Sequence, residues 1–260
     1  MVPDMKKGKK ILSTVLMMAC MSVMLIGCGT SSDGAAAAGS NTLVMATNAA
    51  FPPYEYVENG EYVGIDVEIA QAIAKELGME LEIKDVEFGS IIAGVESGKF
   101  DMGMAGMTVT EERKQSVNFS NTYATAVQSI IVPEGSAIAS VDDLSSDIKI
   151  GVQQDTTGDI YASDEYGDAV VRYKNGADAV QALVSGKVDC VIIDNEPAKS
   201  FVAANTGLVI LDSAYAEEEY AICIAKDNDE LLGQINDALA KLQADGTIDA
   251  IVAKYIPTED

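Results

Sequence analysis

The chain has 260 residues, with 17 Lys and Arg against 41 Asp and Glu, no His and four Cys, and its formal net charge at pH 7 is −24. A surface this acidic repels nucleic acids and anionic membrane faces, so neither is expected as a partner. Without His, and without Cys pairs at the spacing of metal ligands, a transition-metal site has no support and no cofactor is expected.

Residues 1–27 are predicted to be a secretory signal. Lysines between Lys6 and Lys10 precede an apolar run from Ile11 to Ile26, the order of a signal peptide, and the run is marginal in length for a membrane-spanning helix. The run ends in Leu25-Ile26-Gly27-Cys28, which resembles the bacterial lipobox, and this resemblance implies a lipid on Cys28. An ordinary signal peptide with an incidental Cys is the alternative. Residues 28–40 are small and polar and predict a flexible tether.

Removal of residues 1–27 would leave 13 basic against 40 acidic side chains, a formal charge of −27. Roughly 220 residues follow the tether, enough for one large or two smaller lobes with their own cores. The cysteines Cys190 and Cys223 lie in apolar, strand-like runs. Two buried free thiols are therefore favoured, although a disulfide is permitted outside the cytosol.

In the first half, Leu43–Ala46 predicts a buried strand that leads into Asn48–Tyr54, where two prolines favour an extended loop. Asp66 is predicted to cap a helix that Gly78 ends. A later strand leads into the stretch Gly106–Arg113, where backbone N–H groups at a helix start, a Thr hydroxyl and a guanidinium together suit a carboxylate. The alternative is a plain junction in which Thr110 caps the helix and Arg113 faces solvent.

The second half repeats this order of strand, loop, helix, stop and strand. One strand leads into Gln153–Gly158, and another ends at Asp194. Ser97-Gly98-Lys99-Phe100-Asp101 and Ser185-Gly186-Lys187-Val188-Asp189 share four of five residues, which supports two similar α/β units. Open α/β sheets bind ligands beyond the carboxyl ends of their parallel strands, so two units facing each other would form a cleft.

The contents of that cleft suit an amino acid. Arg113 offers a cation to a carboxylate, Asp194 on the opposite wall offers an anion to an ammonium, and Phe51 and Phe88 lie between them. Each has a plainer interpretation: the two Phe could be ordinary core aromatics, and Asp194 could cap the next helix. Glu217–Glu219 is typical of a solvated face or a loop beside a hinge.

Over nearly all of residues 41–260 the sequence resembles the extracellular solute-binding proteins of ABC importers for polar amino acids, family 3, in their lipoprotein form. The resemblance rests on several motifs in the right order, namely Ala46–Tyr56, Gly64–Val67, Ala105–Arg113 with Val117–Ser120, Gly151–Gln154 and Val188–Asp194. It implies an α/β, two-lobed periplasmic-binding-protein fold of type II, with the ligand in the cleft between two similar lobes. The lobes are expected at 41–130 with 220–260 and at 131–219, joined by crossover strands at Val127–Val132 and Tyr220–Ile224.

The family pattern, carried over to this sequence, implies the ligand contacts. Arg113 would hold the α-carboxylate with the Thr108 amide and hydroxyl and the Thr157 amide. Asp194 would hold the α-ammonium with the Gly106 carbonyl and the Thr108 hydroxyl, and two Phe would sandwich the aliphatic part. The full set of expected ligand-binding residues is Asn48, Phe51, Phe88, Gly106, Thr108, Arg113, Gln153, Thr156, Thr157 and Asp194.

Two positions depart from the commoner family pattern. Asn48 stands where many members have Asp, and a neutral amide cannot pair with a cation, which counts against a basic ligand. Asp155 stands where Gly is usual, and its carboxylate either restores a charge near the pocket or faces water. Side-chain specificity is expected from Asn48 and the Gln153–Thr157 loop.

The sequence thus predicts a monomeric, extracytoplasmic lipoprotein, anchored in the membrane through Cys28, that captures a free polar L-amino acid and delivers it to an ABC permease. It is expected not to be an enzyme. A dehydratase-like enzyme on the same scaffold is one alternative, since a carboxylate general acid is available among the forty acidic residues. An amino-acid sensor coupled to a signalling partner is another.

Overall fold

The computed structural model describes residues 41–212 and 214–256. The predicted signal at 1–27, the lipid site Cys28 and the tether at 28–40 lie outside the described residues. None of the helices within the described ranges is both long enough and apolar enough to cross a membrane.

Strands and helices are interspersed along the described chain. The strands are β1 (Thr42–Thr47), β2 (Ala50–Phe51), β3 (Glu55–Glu58), β4 (Glu61–Val63), β5 (Glu80–Asp85), β6 (Met102–Gly103), β7 (Val117–Phe119), β8 (Ala124–Pro133), β9 (Ile150–Gln153), β10 (Val170–Tyr173), β11 (Cys190–Asp194), β12 (Leu208–Ile210), β13 (Ala216–Tyr220) and β14 (Cys223–Ala225). The helices are α1 (Ile65–Leu77), α2 (Ile91–Glu96), α3 (Arg113–Ser116), α4 (Thr157–Tyr166), α5 (Gly176–Val184), α6 (Asn195–Ala204), α7 (Asp229–Ala244) and α8 (Thr247–Tyr255).

The first sheet has five strands in the order β5-β1-β6-β14-β7. Strand β1 pairs in parallel with β5 and β6, whereas β14 runs antiparallel to β6 and β7. Successive side chains of β1 enter different hydrophobic clusters: Leu43 and Met45 join Ile69 of α1, and Ala46 joins Val95 of α2. Both faces of the sheet are therefore covered, which explains the continuous apolar run that predicted this strand.

The second sheet has the order β10-β9-β11-β8-β12, and β13 pairs antiparallel with β8. The chain enters this sheet at β8, directly after β7 of the first sheet, and leaves it at β13, directly before β14. The segment expected as the first crossover, Val127–Val132, lies inside β8, where residues 128–131 pair with β11. The second, Tyr220–Ile224, spans the end of β13 and most of β14. The two lobes each rest on one sheet, and the expected lobe bounds stay a prediction.

The repeated pentapeptide is also repeated in three dimensions. Asp101 accepts the Val44 backbone N–H at 2.7 Å, and Asp189 accepts the Lys149 backbone N–H at 2.7 Å. In each copy the glycine has a positive φ, 71° for Gly98 and 69° for Gly186, which ends the preceding helix in a way that favours glycine. The two halves thus end a helix with a glycine of the same conformation. They also hold the next segment to a distant part of the chain with the same aspartate-to-backbone hydrogen bond.

The prediction that Asp66 caps a helix is wrong. Helix α1 begins at Ile65, so its N-cap is Gly64, two residues before Asp66, with a φ of 126°. The Asp66 side chain instead points into the protein, where Oδ2 accepts hydrogen bonds from the Gly106 backbone N–H and the Tyr123 hydroxyl, both at 2.8 Å. Asp66 therefore supports the loop after β6. Cys190 and Cys223 are buried and free, as predicted.

Candidate functional site

A small cavity lies where the loops after β1, β6, β9 and β11 meet. It is lined by Asn48, Phe51, Glu55, Phe88, Ala105, Gly106, Thr108, Arg113, Gln153, Thr156, Thr157 and Asp194. All ten residues expected to bind the ligand are in this set, and they come from both halves of the chain. Glu55 and Ala105 are the two lining residues that sequence reasoning missed.

Arg113 forms one end of the cavity. Its Nη1 donates to the Thr108 carbonyl at 2.8 Å, its Nη2 donates to the Asp155 carbonyl at 3.1 Å, and its guanidinium carbon lies 5.2 Å from the Phe88 ring centroid. The Thr110 hydroxyl accepts the Arg113 backbone N–H at 3.1 Å, so Thr110 does cap this short turn. Arg113 is nevertheless buried rather than solvent-facing. Burial lowers the pKa of its guanidinium, which stays charged because that pKa starts so high.

Asp194 forms the opposite end. The Tyr220 hydroxyl donates to its Oδ1, and Gln128 Nε2 donates to its Oδ2 at 2.9 Å. Although Asp194 precedes α6, its side chain makes no hydrogen bond to the start of that helix, so the capping alternative does not describe it. Burial, and then the nearby Glu218, raise the pKa of Asp194 to about 7, against the lowering effect of these two hydrogen bonds. A cation bound here would favour the ionised form.

Neutral amides close a third side of the cavity. Gln153 Nε2 donates to Asn48 Oδ1 at 2.9 Å, and Asn48 Nδ2 donates to the Val86 carbonyl at 2.8 Å. The Gln153 Oε1 accepts the Gly176 backbone N–H at 3.1 Å. Both side chains are held by these contacts, and neither brings a charge.

Another side of the cavity is formed by the Phe51 ring, Gly106 and the start of helix α4. Gly106 has a φ of 53°, and a Cβ on it would lie 3.0 Å from the Phe51 ring, so the position favours glycine both for backbone conformation and for space. The Thr156 hydroxyl donates to the Gln153 carbonyl at 2.8 Å, and α4 begins at Thr157. Thr156 and Thr157 both line the cavity, so the start of this helix lies beside it.

Asp155 does not bring a carboxylate to the cavity. Its residue is exposed, and its Oδ2 accepts a hydrogen bond from Gln154 Nε2 at 3.2 Å. Its backbone has a φ of 65°, and the carbonyl of this turn is the one that binds Arg113. Of the two alternatives for Asp155, the structure favours the one in which the side chain faces water.

The assignment of Glu217–Glu219 to a solvated face or hinge-adjacent loop is wrong for the middle residue. Glu218 is 6% exposed, whereas both neighbours are exposed. The three residues lie on β13, where side chains alternate between faces. Tyr220, an aromatic residue two positions further on, was the available signal that this face points inward.

Glu55 is the other acidic residue that sequence reasoning missed. It is 1% exposed, and its Oε2 has no hydrogen-bond partner among the described residues. Burial, and then the neighbouring Asp66, hold the pKa of Glu55 well above its usual range. The uncharged form of this carboxyl in the cavity wall is therefore favoured.

Contacts between the two halves hold the cavity closed. The Asn48–Gln153 and Arg113–Asp155 hydrogen bonds each join a residue of the first half to one of the second. An exposed ion pair, Lys174 with Glu87 at 3.0 Å, adds a third link near the rim. The structure therefore represents a closed form of the protein.

Known proteins are similar to this chain along most of its length. The family described as "Bacterial extracellular solute-binding proteins, family 3" matches residues 43–258. The arginine-binding extracellular protein ArtP of Bacillus subtilis (strain 168) is 35% identical over 251 residues, which cover 94% of this chain and 97% of that protein.

Solved structures are similar over the same region. An ancestral arginine-binding protein bound to glutamine shares 41% sequence identity and a TM-score of 0.79, covering 83% of this chain and 98% of that one. The ancestral amino acid-binding protein AncCDT-1, a precursor of cyclohexadienyl dehydratase, shares 35% identity and a TM-score of 0.77, covering 83% of this chain and 95% of that one.

Proposed function

Because this chain belongs to the bacterial extracellular solute-binding proteins of family 3, we propose that it captures one free polar L-amino acid and delivers it to an ABC permease. The observation that carries the proposal is the presence of Arg113 and Asp194 in the lining of one small cavity. A guanidinium pairs with an α-carboxylate, and a carboxylate pairs with an α-ammonium. These two side chains would hold the part that all amino acids share.

The side chain of the ligand is proposed to be polar and uncharged. Asn48 and Gln153 bond to each other across the cavity, and each amide keeps hydrogen-bonding capacity beyond its present contacts. A carboxamide such as that of L-glutamine can both donate to and accept from such a wall. The guanidinium of L-arginine would find no anion at Asn48.

Closure of the two lobes is proposed to follow ligand capture. A ligand can shift an open–closed equilibrium only as far as it binds the closed form more tightly. Here the proposed carboxylate anchor Arg113 lies in the first half, and the proposed ammonium anchor Asp194 lies in the second. A ligand held by both would favour the closed form.

The chain is extracytoplasmic, as its family is. We also propose how the protein is held outside the cytoplasm. A lipid on Cys28 anchors a monomer to the cell membrane, and the 28–40 tether lets the domain reach the permease. The lipobox-like sequence before Cys28 supports the anchor.

A melting-temperature screen against the twenty common amino acids tests the binding function. A ligand that binds only the folded state raises the melting temperature. We expect the largest rise with a neutral polar L-amino acid, L-glutamine first, and a smaller one with L-arginine. The D-enantiomers serve as controls for the shared carboxylate and ammonium. A folded protein whose melting temperature responds to none of the twenty would refute the proposal.

One observation favours a second candidate, an enzyme on the same scaffold. Glu55 lines the cavity, and burial raises the pKa of its carboxyl well above the usual range, the direction that suits a general acid. The similar AncCDT-1 is described as a precursor of a dehydratase. Incubation of the purified protein with the amino acid found in the screen, followed by NMR of the ligand, separates the two. We expect the ligand to be recovered unchanged, and a product that disappears in Glu55→Gln would instead support the enzyme.

A further inference from the structure

Glu218, the middle glutamate of β13, is a buried acidic residue near the cavity, and the proposed function gives it no role. Glu218 and Tyr220 share the inward face of this strand, and the Tyr220 hydroxyl donates to Asp194. Glu218 itself is absent from the cavity lining and lies directly behind Thr108. It is therefore a candidate to act on a ligand through its neighbours.

Glu218 is hydrogen-bonded to Thr108 of the cavity lining and to Gln128, which lies behind that lining. The Thr108 hydroxyl donates to Glu218 Oε2 at 2.9 Å, and Gln128 Nε2 donates to the same oxygen at 3.2 Å. Gln128 Nε2 also donates to Asp194 Oδ2 at 2.9 Å. A single amide NH₂ group thus lies between two buried carboxylates.

The bond from Thr108 determines what its hydroxyl can offer a ligand. A hydroxyl has one proton and two lone pairs. The Thr108 hydroxyl also lies 3.5 Å from the Thr157 hydroxyl, but its shorter contact is the one to Glu218. With its proton directed at Glu218, the Thr108 oxygen is an acceptor toward the cavity. An acceptor binds the N–H groups of an ammonium and does not bind a carboxylate.

Glu218 also adds negative charge at this end of the cavity. Its Oε1 and the Oε1 of Gln128 are buried and have no hydrogen-bond partner within the described residues. Arg113, the cation that lines the cavity, donates its hydrogen bonds to the carbonyls of Thr108 and Asp155, so it attracts Glu218 without bonding to it. A buried anion is costly unless a cation compensates it, and an ammonium next to Asp194 would supply that cation.

We propose that Glu218 is a positioning residue that makes this end of the cavity select a free α-ammonium. It does so by turning the Thr108 hydroxyl into an acceptor and by adding a second buried negative charge behind Asp194. The inference rests on the proposed function and deepens it, since it restricts the ligand class to compounds with an unblocked primary amine.

The test compares Glu218→Gln with Glu219→Gln. Glutamine at 218 has nearly the same shape and can still accept from Thr108 and Gln128, but it has no charge. Glu219 is exposed on the same strand, so its variant removes the same charge outside the network. Calorimetry with L-glutamine and L-arginine gives the affinity, and the melting temperature without ligand reports the fold.

Glu218→Gln is expected to weaken both probes by at least about tenfold and by a similar factor, because the ammonium is common to both. Its melting temperature without ligand should equal or exceed that of the wild type, since a buried charge has been removed. Glu219→Gln should change neither quantity. A merely structural role would instead lower the melting temperature together with the affinity.

Equal affinity in Glu218→Gln and the wild type, or a loss that Glu219→Gln reproduces, would overturn the inference. A fall in affinity accompanied by a fall in melting temperature would overturn it as well. A wild-type protein that binds neither probe nor any other amino acid would refute the proposed function itself, and this outcome is distinct from the others.

Discussion

The side-chain amide of Gln153 donates a 2.9 Å hydrogen bond to Oδ1 of Asn48, and this bond joins the ends of β9 and β1 across the cavity. The same Asn48 is bound from behind by the Val86 carbonyl, which accepts from its Nδ2 at 2.8 Å. Two neutral amides therefore stand where the ligand's side chain is proposed to lie. A single substitution at Asn48 would give this wall a negative charge.

Asn48→Asp is expected to shift binding from neutral toward cationic amino acids. The new carboxylate can still accept from Gln153 and would pair with a guanidinium, although it loses the donor to Val86. We expect the affinity ratio of L-arginine to L-glutamine to rise by at least about tenfold in calorimetry. Asn118→Asp is a matched control, because Asn118 also donates to a carbonyl, that of Lys226, but outside the cavity lining. An unchanged ratio in Asn48→Asp would place the ligand's side chain elsewhere.

Arg113→Lys is expected to weaken amino-acid binding by at least about 100-fold, or about 2.7 kcal/mol. A lysine keeps the charge but not the planar set of donors that holds Thr108, Asp155 and a ligand carboxylate together. Arg172→Lys controls for the general effect of the exchange, since Arg172 is half-exposed, pairs with the buried Asp159 and lies outside the cavity lining. Near wild-type affinity in Arg113→Lys, measured by calorimetry, would refute its role as carboxylate anchor. Asp194→Asn should cost about as much for the opposite reason, the loss of the anion.

Asp194 is expected to make the ligand-free protein less stable at high pH. Its pKa is raised from 3.8 to about 7 in the folded protein. A carboxyl with a raised pKa stabilises the fold at low pH, and that contribution is lost as the pH rises through the folded value. The melting temperature should therefore fall from about pH 4 to about pH 7, and Asp194→Asn should reduce this fall.

Asp194→Asn should not remove the pH dependence entirely. Burial also raises the pKa of Asp66, to about 6, and it acts in the same direction. Glu217→Gln, which changes an exposed residue of β13, is the control and should follow the wild-type curve. Identical slopes for Asp194→Asn and the wild type would contradict the assignment.

Gly89→Ala is expected to disfavour the closed form. A Cβ on Gly89 would lie 2.1 Å from Oδ2 and 3.2 Å from Cβ of Asp155 on the other half. Rotation of the Asp155 side chain moves the oxygen but not the Cβ, whereas opening of the lobes relieves both contacts. Amino-acid affinity should drop by about tenfold, with little change in the melting temperature without ligand. Gly233→Ala, with no neighbour within 4 Å of the added carbon, is the control.

The double variant Gly89→Ala with Asp155→Gly tests the cause of that loss. Removal of the Asp155 side chain makes room for the new methyl group, and glycine accepts the φ of 65° at this position. Affinity should return toward that of the wild type. A double variant as weak as Gly89→Ala alone would show that the contact with Asp155 is not what limits closure.

Much of the fold follows from local chemistry in the sequence. Each pentapeptide, with Gly98 or Gly186, contains the glycine that ends a helix and the aspartate that bonds to the backbone of a distant segment. The repeated α/β unit could therefore be recognised without knowledge of the complete fold. The loops after apolar strands likewise had to meet at one edge of their sheets. The residues on those loops, Arg113 and Asp194 among them, could be placed at one cavity for this reason.

The tertiary structure decided which polar residues are buried behind that cavity. Glu218 and its two neighbours are the same residue type. Strand alternation from Tyr220 indicates which of them faces inward, but only the packing of β13 against Gln128 and Thr108 gives that residue its partners. Asp66 likewise looks like a helix cap in sequence and becomes a buried acceptor because the loop after β6 lies above it. Burial and charge at such positions depend on contacts between segments far apart in the chain, and no local pattern records those contacts.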